Sequence, residues 1–317
     1  MEPFLARPVF EKKYGQGTWR ILKYLVLSFL PLASIPLISQ TAGCVIDKNT
    51  NHPIPLVNIW VENEDIGTTT DNNGCFHFID SLNNKYLIVT ALGYERLRMK
   101  IDTPYLSVLL EPKVYSIPEV VIKPVKEEEL QIITYRKSKL YNYISSLNPC
   151  IYARFIPYME EYQNTPFIKS IKLETISWIE SSRFRLRLFQ VNPDGQPGED
   201  ILNNDLVVKV KKGRRSSLIT DFNNTQIRFP KEGLFVALEF LIVKENEYEA
   251  TFLDRETNKR EKKVCYMPLF GTIMTEESPP LYVYTKGNWV LLKRKTCGGM
   301  SLTDKNECLA VEVTLTN

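Results

Sequence analysis

The sequence predicts a mainly β protein built from two β-sandwiches, and three features of its 317 residues support this fold class. Short apolar runs alternate with polar residues at a period of two, which is the pattern of strands with one buried face. Clusters of Pro, Gly, Asn and Asp separate the runs, as turns do. The apolar fraction of 44% is high enough for folded cores, so extended disorder is not expected.

Residues 1–39 have the pattern of a signal peptide. A basic segment precedes an uncharged apolar stretch from Tyr24 to Ser39, and the polar residues Gln40 and Thr41 follow. This stretch is shorter than the roughly 20 apolar residues of a membrane-spanning helix. We expect cleavage just after Ser39 and export to the periplasm or the outer membrane, and an uncleaved membrane anchor is the alternative.

The formal charges exclude one class of partner. Residues 1–39 carry the whole net charge of +3, because Lys plus Arg balances Asp plus Glu in the remainder. A protein that binds nucleic acid needs a surplus of basic residues to neutralise phosphates. We therefore expect no nucleic-acid partner.

Six cysteines are compatible with an oxidising compartment. The segment "TAGC" ending at Cys44 loosely resembles a lipid-attachment site, but cleavage there would remove Gly43 from a predicted strand. Cys297 and Cys308 flank the loop of a predicted hairpin, where a cross-strand disulfide is one alternative and two free thiols are the other.

Residues 40–122 contain seven short predicted strands, which favour a β-sandwich. In "LVNIWVE" the apolar residues at 57, 59 and 61 alternate with Asn58, Trp60 and Glu62, so this strand is predicted to be half-buried. Asp71 and Gly74 occupy the first and last positions of a predicted turn between two strands. A final apolar run, "PEVVI", closes the segment.

This succession of strands resembles the carboxypeptidase regulatory-like domain, a prealbumin-like β-sandwich. The residues that carry the resemblance are Gly43, Val45, Asp47, Pro55, Leu56, Gly67, Thr68, Thr70, Asp71, Gly74, Phe76, Gly93 and Tyr94. Each has a structural role in a turn or a core, so the resemblance implies a scaffold and no catalysis. Domains of this kind often precede the plug and barrel of TonB-dependent outer-membrane transporters. The residues that follow here lack the many repeated amphipathic strands, each of about 10 residues, of a large barrel, so we expect no transporter, and association with one is an alternative.

The following residues, 123–150, are predicted to form a linker with one amphipathic helix. Apolar residues recur there at helical spacing, and acidic residues precede them where a helix dipole favours negative charge. The apolar positions are Leu130, Ile133, Leu140, Ile144 and Leu147.

Residues 151–317 return to strand patterns in longer units and predict a second, larger β-sandwich of jelly-roll type. In "SRFRLRLFQV" the apolar residues Phe184, Leu186 and Leu188 face away from three arginines. The basic run "KKGRR" at 211–215 is predicted to be the solvated tip of a hairpin, and contact with an anionic lipid or polysaccharide is the alternative.

Residues for catalysis or metal binding are few. His52 and His77 are the only histidines, so neither a zinc peptidase site nor a histidine-dependent triad is expected, and we predict no catalytic residue, no metal and no cofactor. Glu245, Glu247 and Glu249 would share one face of a single strand, where they could serve a carboxylate-dependent glycosidase. A solvated face is the favoured interpretation.

Exposed aromatic rings are the best candidates for a ligand site. Trp178 and Trp289, with Tyr282 and Tyr284, could stack on sugar rings, although aromatic residues of a sandwich more often belong to its core. We therefore expect a non-catalytic scaffold or interaction protein of the cell envelope. The alternative is a carbohydrate-binding protein that uses the C-terminal sandwich, and a glycosidase is the third hypothesis. The expected partner is an envelope protein, such as an outer-membrane transporter, or a glycan.

Overall fold

The structure, a computed structural model, describes residues 40–113, 128–202, 204–222, 225–253, 259–275, 281–292 and 306–317. The prediction of a mainly β fold is confirmed, and no α-helix occurs among these residues. The described residues belong to one compact unit that begins at Gln40. The predicted signal peptide and "PEVVI" lie outside the described residues. In the described part of the chain, no helix has the length and apolar character needed to cross a membrane.

The N-terminal module, residues 40–113, contains two small sheets. Its strands are β1 (Ala42–Asp47), β2 (Asn58–Val61), β3 (Gly67–Thr69), β4 (Cys75–His77), β5 (Tyr86–Thr90), β6 (Leu97–Lys100) and β7 (Tyr105–Leu110). One sheet has the order β4-β1-β7 and the other the order β3-β2-β5-β6. Because alternate residues of each strand point inward, the sheets enclose a core that includes Val45, Ile59, Phe76, Leu87 and Val108.

A disulfide connects β1 and β4, and a tight turn precedes β4. Cys44 and Cys75 are direct partners of these antiparallel strands, and their sulfur atoms are bonded. The predicted turn between β3 and β4 is present, and the Asp71 carboxylate accepts hydrogen bonds from the N–H groups of Asn73 and Cys75 at 2.8 and 2.9 Å. Gly74 completes this turn with φ of +72°, which favours glycine. Since the Cys44 sulfur is bonded to Cys75, it cannot also carry a lipid.

The C-terminal module, residues 128–317, is one sheet of 13 strands over its described residues. Its strands are β8 (Glu129–Ile133), β9 (Leu140–Ser146), β10 (Ile151–Ile156), β11 (Phe167–Val191), β12 (Pro197–Asp200), β13 (Val207–Asp221), β14 (Leu234–Phe240), β15 (Glu247–Leu253), β16 (Arg260–Thr275), β17 (Tyr282–Thr285), β18 (Asn288–Leu291), β19 (Asn306–Leu309) and β20 (Val311–Thr316). Short 3₁₀ turns occur at Lys137–Lys139, Glu160–Gln163 and Lys244–Asn246.

The long strand β11 passes through two layers of this module. Its first half pairs with β20 and its second half with β14, while β13 runs beside both halves. The side chains of the two layers meet in a core that includes Leu173, Phe184, Leu188, Val236 and Val313. Register shifts near Ser177 and Ser181 mark the change from one half to the other, because bulged residues bend a strand.

The predicted linker helix is wrong. Residues 129–133 form β8, which pairs with β20, and residues 140–146 form β9, which pairs with β16. Leu130, Ile133 and Ile144 do pack on the core, but from strands. Short apolar runs fit both periods, and pairing with strands far along the chain decides between them. The part of 123–150 that the structure describes therefore belongs to the C-terminal sheet.

The basic run 211–215 is not a hairpin tip. It lies in the middle of β13, where Gly213 pairs with Ser177 across the irregular part of β11. Lys212 is ion-paired with Glu180, and both side chains are exposed. The interpretation as a tip failed because the glycine in this run marks a bulge in a long strand and not a chain reversal.

Two strand faces that lie opposite the predicted apolar faces are also buried. Asn58 and Trp60 on β2 are 0% and 1% exposed, and Arg185 on β11 is 2% exposed. These faces are buried because each one covers the other: the outer face of the sheet β3-β2-β5-β6 packs on the outer face of β10, β11, β14 and β17. This contact, called the junction below, positions the candidate site.

Candidate functional site: the junction and its cleft

The centre of the junction is apolar. The Trp60 and Ile88 side chains of the N-terminal module pack against Ile151, Phe235 and Tyr284 of the C-terminal module. The Trp60 indole N–H donates a hydrogen bond to the Pro149 carbonyl at 2.8 Å. A buried indole needs such a partner, so the ring is held in one orientation.

Beside this apolar centre lies a buried polar network around Glu239 of β14. One Glu239 oxygen accepts a hydrogen bond from the Asn58 amide at 2.5 Å, and the other lies 3.0 Å from an Arg185 nitrogen. Arg185 also donates to the Leu56 carbonyl of the N-terminal module at 2.8 Å. Thr69 donates to Asn58 and accepts a bond from the Ile242 N–H. The network thus connects the two modules through directional bonds.

The arginines of this network remain charged although they are buried. Burial opposes the charge of Arg185, but the Glu239 and Asp205 carboxylates more than compensate and raise its pKa. Arg187, two residues along β11, bonds to Asp200 at 2.7 Å and lies 3.6 Å from Glu239. Burial raises the pKa of Asp200, although Arg187 opposes this shift. Each buried arginine of this cluster thus has carboxylate partners within the protein.

The hairpin of β17 and β18 contacts the N-terminal module at one end of the junction. Lys286 and Gly287 both have positive φ, as a two-residue type I′ turn requires. The turn lies on the N-terminal module: the Gly287 carbonyl accepts a bond from Arg96, and Lys286 is ion-paired with Asp65 at 2.9 Å. An added Cβ at Gly287 would lie 2.8 Å from the Ile88 side chain, so this approach requires glycine.

A cleft of about 250 Å³ opens beside the junction, and both modules line it. We call it the inter-module cleft. One wall carries Phe189, Tyr284 and Trp289, and the opposite wall is formed by residues 90–96 of the N-terminal module. The rings contact each other edge to face, with centroid distances of 5.2 Å between Tyr284 and Trp289 and 5.5 Å between Phe189 and Trp289.

The family comparison identifies the N-terminal module. Residues 41–122 match the family model described as CarboxypepD_reg-like domain. This part of the chain is a carboxypeptidase regulatory-like domain. The resemblance predicted from the sequence is thereby confirmed for about one quarter of the chain. No curated protein matches the chain.

Two motif residues of the regulatory-like domain bond to each other. The Tyr94 hydroxyl donates to the Asp47 carboxylate at 2.8 Å, and the N–H groups of Asn49 and Thr50 donate to its other oxygen. These bonds close the turn after β1 and tie it to the loop after β5. The role of both residues is structural, and the cleft begins next to Tyr94.

The two tryptophans predicted as stacking residues do not form one site. Trp289 is half-buried in the wall of the inter-module cleft, while Trp178 is 40% exposed on β11 beside Tyr248. Tyr284 is buried in the junction, and Tyr282 packs against Phe235. Trp289 and part of Tyr284 line a concave surface shared by both modules, and Trp178 does not.

The three glutamates proposed as a carboxylate site are not aligned on one strand. Glu245 lies in a 3₁₀ turn, and β15 begins only at Glu247. Glu245 is ion-paired with Arg183 at 3.4 Å and Glu249 with Lys262 at 2.7 Å, and all three glutamates are exposed. Glu247 and Glu249 share one face of β15, whereas Glu245 lies outside that strand, so the glycosidase hypothesis stays a prediction.

The remaining candidate residues lie apart. His52 and His77 are both exposed, in a loop and on β4. Among the residues that the structure describes, no group of His, Cys, Asp and Glu side chains is arranged to hold a metal ion. Cys308 is buried on β19, and Cys297 lies outside the described residues, so a bond between them stays a prediction.

The sequence analysis missed the junction residues Asn58, Trp60, Arg185 and Glu239. One feature of the sequence pointed to them: "GLFVALEFLIV" around β14 is apolar at nearly every position, and all seven residues of β14 are buried. A strand without alternation is covered on both faces, so a second layer had to lie on the side of Glu239.

Proposed function

We propose that this protein is a non-catalytic cell-envelope protein that acts as a rigid interaction scaffold. The proposal rests on the junction, where apolar packing and directional hydrogen bonds hold the two modules together. Adjacent domains are expected to move relative to one another unless their interface is large and apolar. Here an apolar centre with Trp60 is combined with directional bonds from Asn58 and Arg185, so surfaces on the two modules keep constant separations. A scaffold depends on that property.

The Cys44–Cys75 disulfide supports the proposed location. Disulfides persist in oxidising compartments such as the periplasm and are rare in the cytosol. The expected signal peptide at 1–39 is consistent with that compartment. We propose a protein of the periplasm or the outer membrane, with another envelope protein as the partner, and an outer-membrane transporter is one such partner.

A cross-linking experiment in cells tests the proposal. A photo-reactive residue is introduced at exposed positions of both modules: at Ile79 or Tyr105 in the regulatory-like domain, and at Trp178 in the C-terminal module. We expect the protein in the envelope fraction and discrete adducts with one common partner from at least one position on each module. Recovery from the cytosol, or no discrete adduct at any position, would contradict the scaffold function. Hydrolysis of peptides or polysaccharides by the purified protein would contradict its non-catalytic character.

Carbohydrate binding is the second candidate function, and the position of Trp289 favours it. Its ring lines a concave surface that is bordered by both charged and aromatic side chains. Binding sites of small molecules are commonly concave and lie at domain interfaces. This alternative is compatible with a scaffold whose partner is a glycan.

A further inference from the structure

We infer that the inter-module cleft binds the end of a neutral glycan chain, with Trp289 as the stacking ring and side chains of both modules as hydrogen-bond partners. The inference rests on the carbohydrate-binding alternative and deepens it. It assigns the glycan to a composite site and not to the C-terminal sandwich alone.

The aromatic wall provides the first step of the argument. The Trp289 ring contacts both Phe189 and Tyr284 edge to face, and Arg187 lies over the Phe189 ring at 4.6 Å. The Trp60 ring packs edge to face against the Tyr284 ring, at a centroid distance of 5.2 Å. Trp289 is therefore held by neighbours while it lines the cleft. The negative face of such a ring attracts the polarised C–H groups of a sugar.

The charges around the cleft indicate a neutral ligand. Three basic and three acidic residues line it: Arg96, Lys113, Arg187, Glu95, Glu199 and Asp200. Arg187 is ion-paired with Asp200 and Lys113 with Glu199. Neither an anionic nor a cationic ligand would meet an excess of opposite charge, whereas carboxylates and guanidinium groups offer acceptors and donors to hydroxyl groups. A polyhydroxylated neutral molecule fits this lining.

The size of the cleft indicates the end of a chain. Its volume of about 250 Å³ is below the roughly 300–1,000 Å³ of pockets that enclose drug-sized ligands. It therefore suits one or two terminal sugar rings better than a long buried segment.

The cleft is also preorganised. The β17–β18 hairpin that carries Tyr284 and Trp289 is fixed to the regulatory-like domain by Arg96 and by the Lys286–Asp65 ion pair. Since these contacts lie within the protein and hold the two modules together beside the cleft, we expect little ordering on binding, which favours affinity.

Binding of neutral hexasaccharides to the purified protein tests the inference. The probes are maltohexaose, cellohexaose, xylohexaose and mannohexaose, with hexagalacturonate as the acidic comparison, measured by calorimetry. We expect at least one neutral probe to bind and Trp289→Ala to weaken its binding about tenfold or more. Glu95→Ala changes an exposed residue on the opposite wall, and we expect about fivefold weaker binding with unchanged folding. Trp178→Ala is the matched control and should change affinity by less than about twofold.

Each other outcome overturns a defined part of the argument. Binding that is lost in Trp178→Ala and kept in both cleft variants would place the glycan on the C-terminal module alone, overturning the composite site and leaving the carbohydrate alternative. Binding of hexagalacturonate alone would overturn the neutral ligand. Binding of no probe would overturn both this inference and the carbohydrate alternative, and the scaffold proposal would remain. If Trp289→Ala does not fold, the affinity of Glu95→Ala for the same probe tests the composite site, and unchanged affinity would overturn it.

Discussion

The Trp60 ring packs edge to face against the Tyr284 ring, with a centroid distance of 5.2 Å, and these two residues, which lie more than 200 positions apart in the sequence, thereby join the two modules. Both residues are at most 9% exposed. The same Tyr284 ring contacts Trp289, which lines the inter-module cleft. Stability of the junction and geometry of the cleft therefore depend on a shared set of side chains.

Truncation of Trp60 should destabilise the whole compact unit. We expect Trp60→Ala to lower the free energy of unfolding by about 3–5 kcal/mol, because it leaves a cavity in the junction and the Pro149 carbonyl without its donor. Urea denaturation measures the effect. The matched control is Trp178→Ala, whose ring is 40% exposed and should cost about 1 kcal/mol or less. Equal losses in both variants would show that the junction does not bury Trp60.

Removal of the central carboxylate should also be costly. Glu239→Gln leaves Arg185 and Arg187 buried with less compensating charge, so we expect a loss of about 3 kcal/mol in the free energy of unfolding. Glu249→Gln is the control, because its partner Lys262 is exposed and such pairs contribute about 0–1 kcal/mol. A Glu239→Gln protein as stable as the parent would argue against the buried network.

The disulfide between β1 and β4 should stabilise the regulatory-like domain. The cysteines are 31 residues apart, and closing a loop of this length in the unfolded chain corresponds to about 3–4 kcal/mol. We expect the Cys44→Ala, Cys75→Ala double variant to lose about that amount. Peptide mapping of the non-reduced protein should recover the two cysteines in one linked fragment. Recovery of Cys44 as a free or lipid-modified residue would contradict the assignment.

The Asp47–Tyr94 bond should make stability depend on pH at the acidic end. The Thr50 N–H and the Tyr94 hydroxyl lower the pKa of Asp47 below its ordinary value of 3.8. An acid with a lowered pKa in the folded state stabilises the fold above the unfolded value, and this contribution is lost as the pH falls through the lowered value. Tyr94→Phe removes one of the bonds, so acid unfolding should begin at higher pH. Unchanged acid unfolding would show that the bond is absent in solution.

The same bond acts at the alkaline end. Burial and the Asp47 carboxylate raise the pKa of Tyr94 from 10.0 to about 12. The protonated phenol is favoured in the folded state, so its contribution is complete below pH 10 and is lost as the pH rises to about 12. Tyr94→Phe should lack this alkaline loss, and the difference spectrum of the two proteins near 295 nm should titrate near pH 12.

The strand pattern of the regulatory-like domain could be predicted from the sequence because its determinants are local. Alternation around Val57 and Ile59 identified the inward face of β2, and Asp71 and Gly74 identified the turn before β4. Periodicity and turn chemistry act over a few residues, so one sequence carries them in full. The 3₁₀ turn that separates Glu245 from β15 was not predicted from the sequence.

The outward faces were decided only by the tertiary structure. The alternation of apolar residues correctly predicts that Trp60 and Arg185 lie on the strand face opposite the local core. It does not predict which part of the protein covers that face. The same limit explains the incorrect prediction of a linker helix. Leu130 and Ile144 lie on β8 and β9, and these strands form by pairing with β20 and β16, which lie far along the chain. Side-chain periodicity is a property of one segment of the sequence. Burial of a second strand face requires two segments in contact, and so does the inter-module cleft at Trp289.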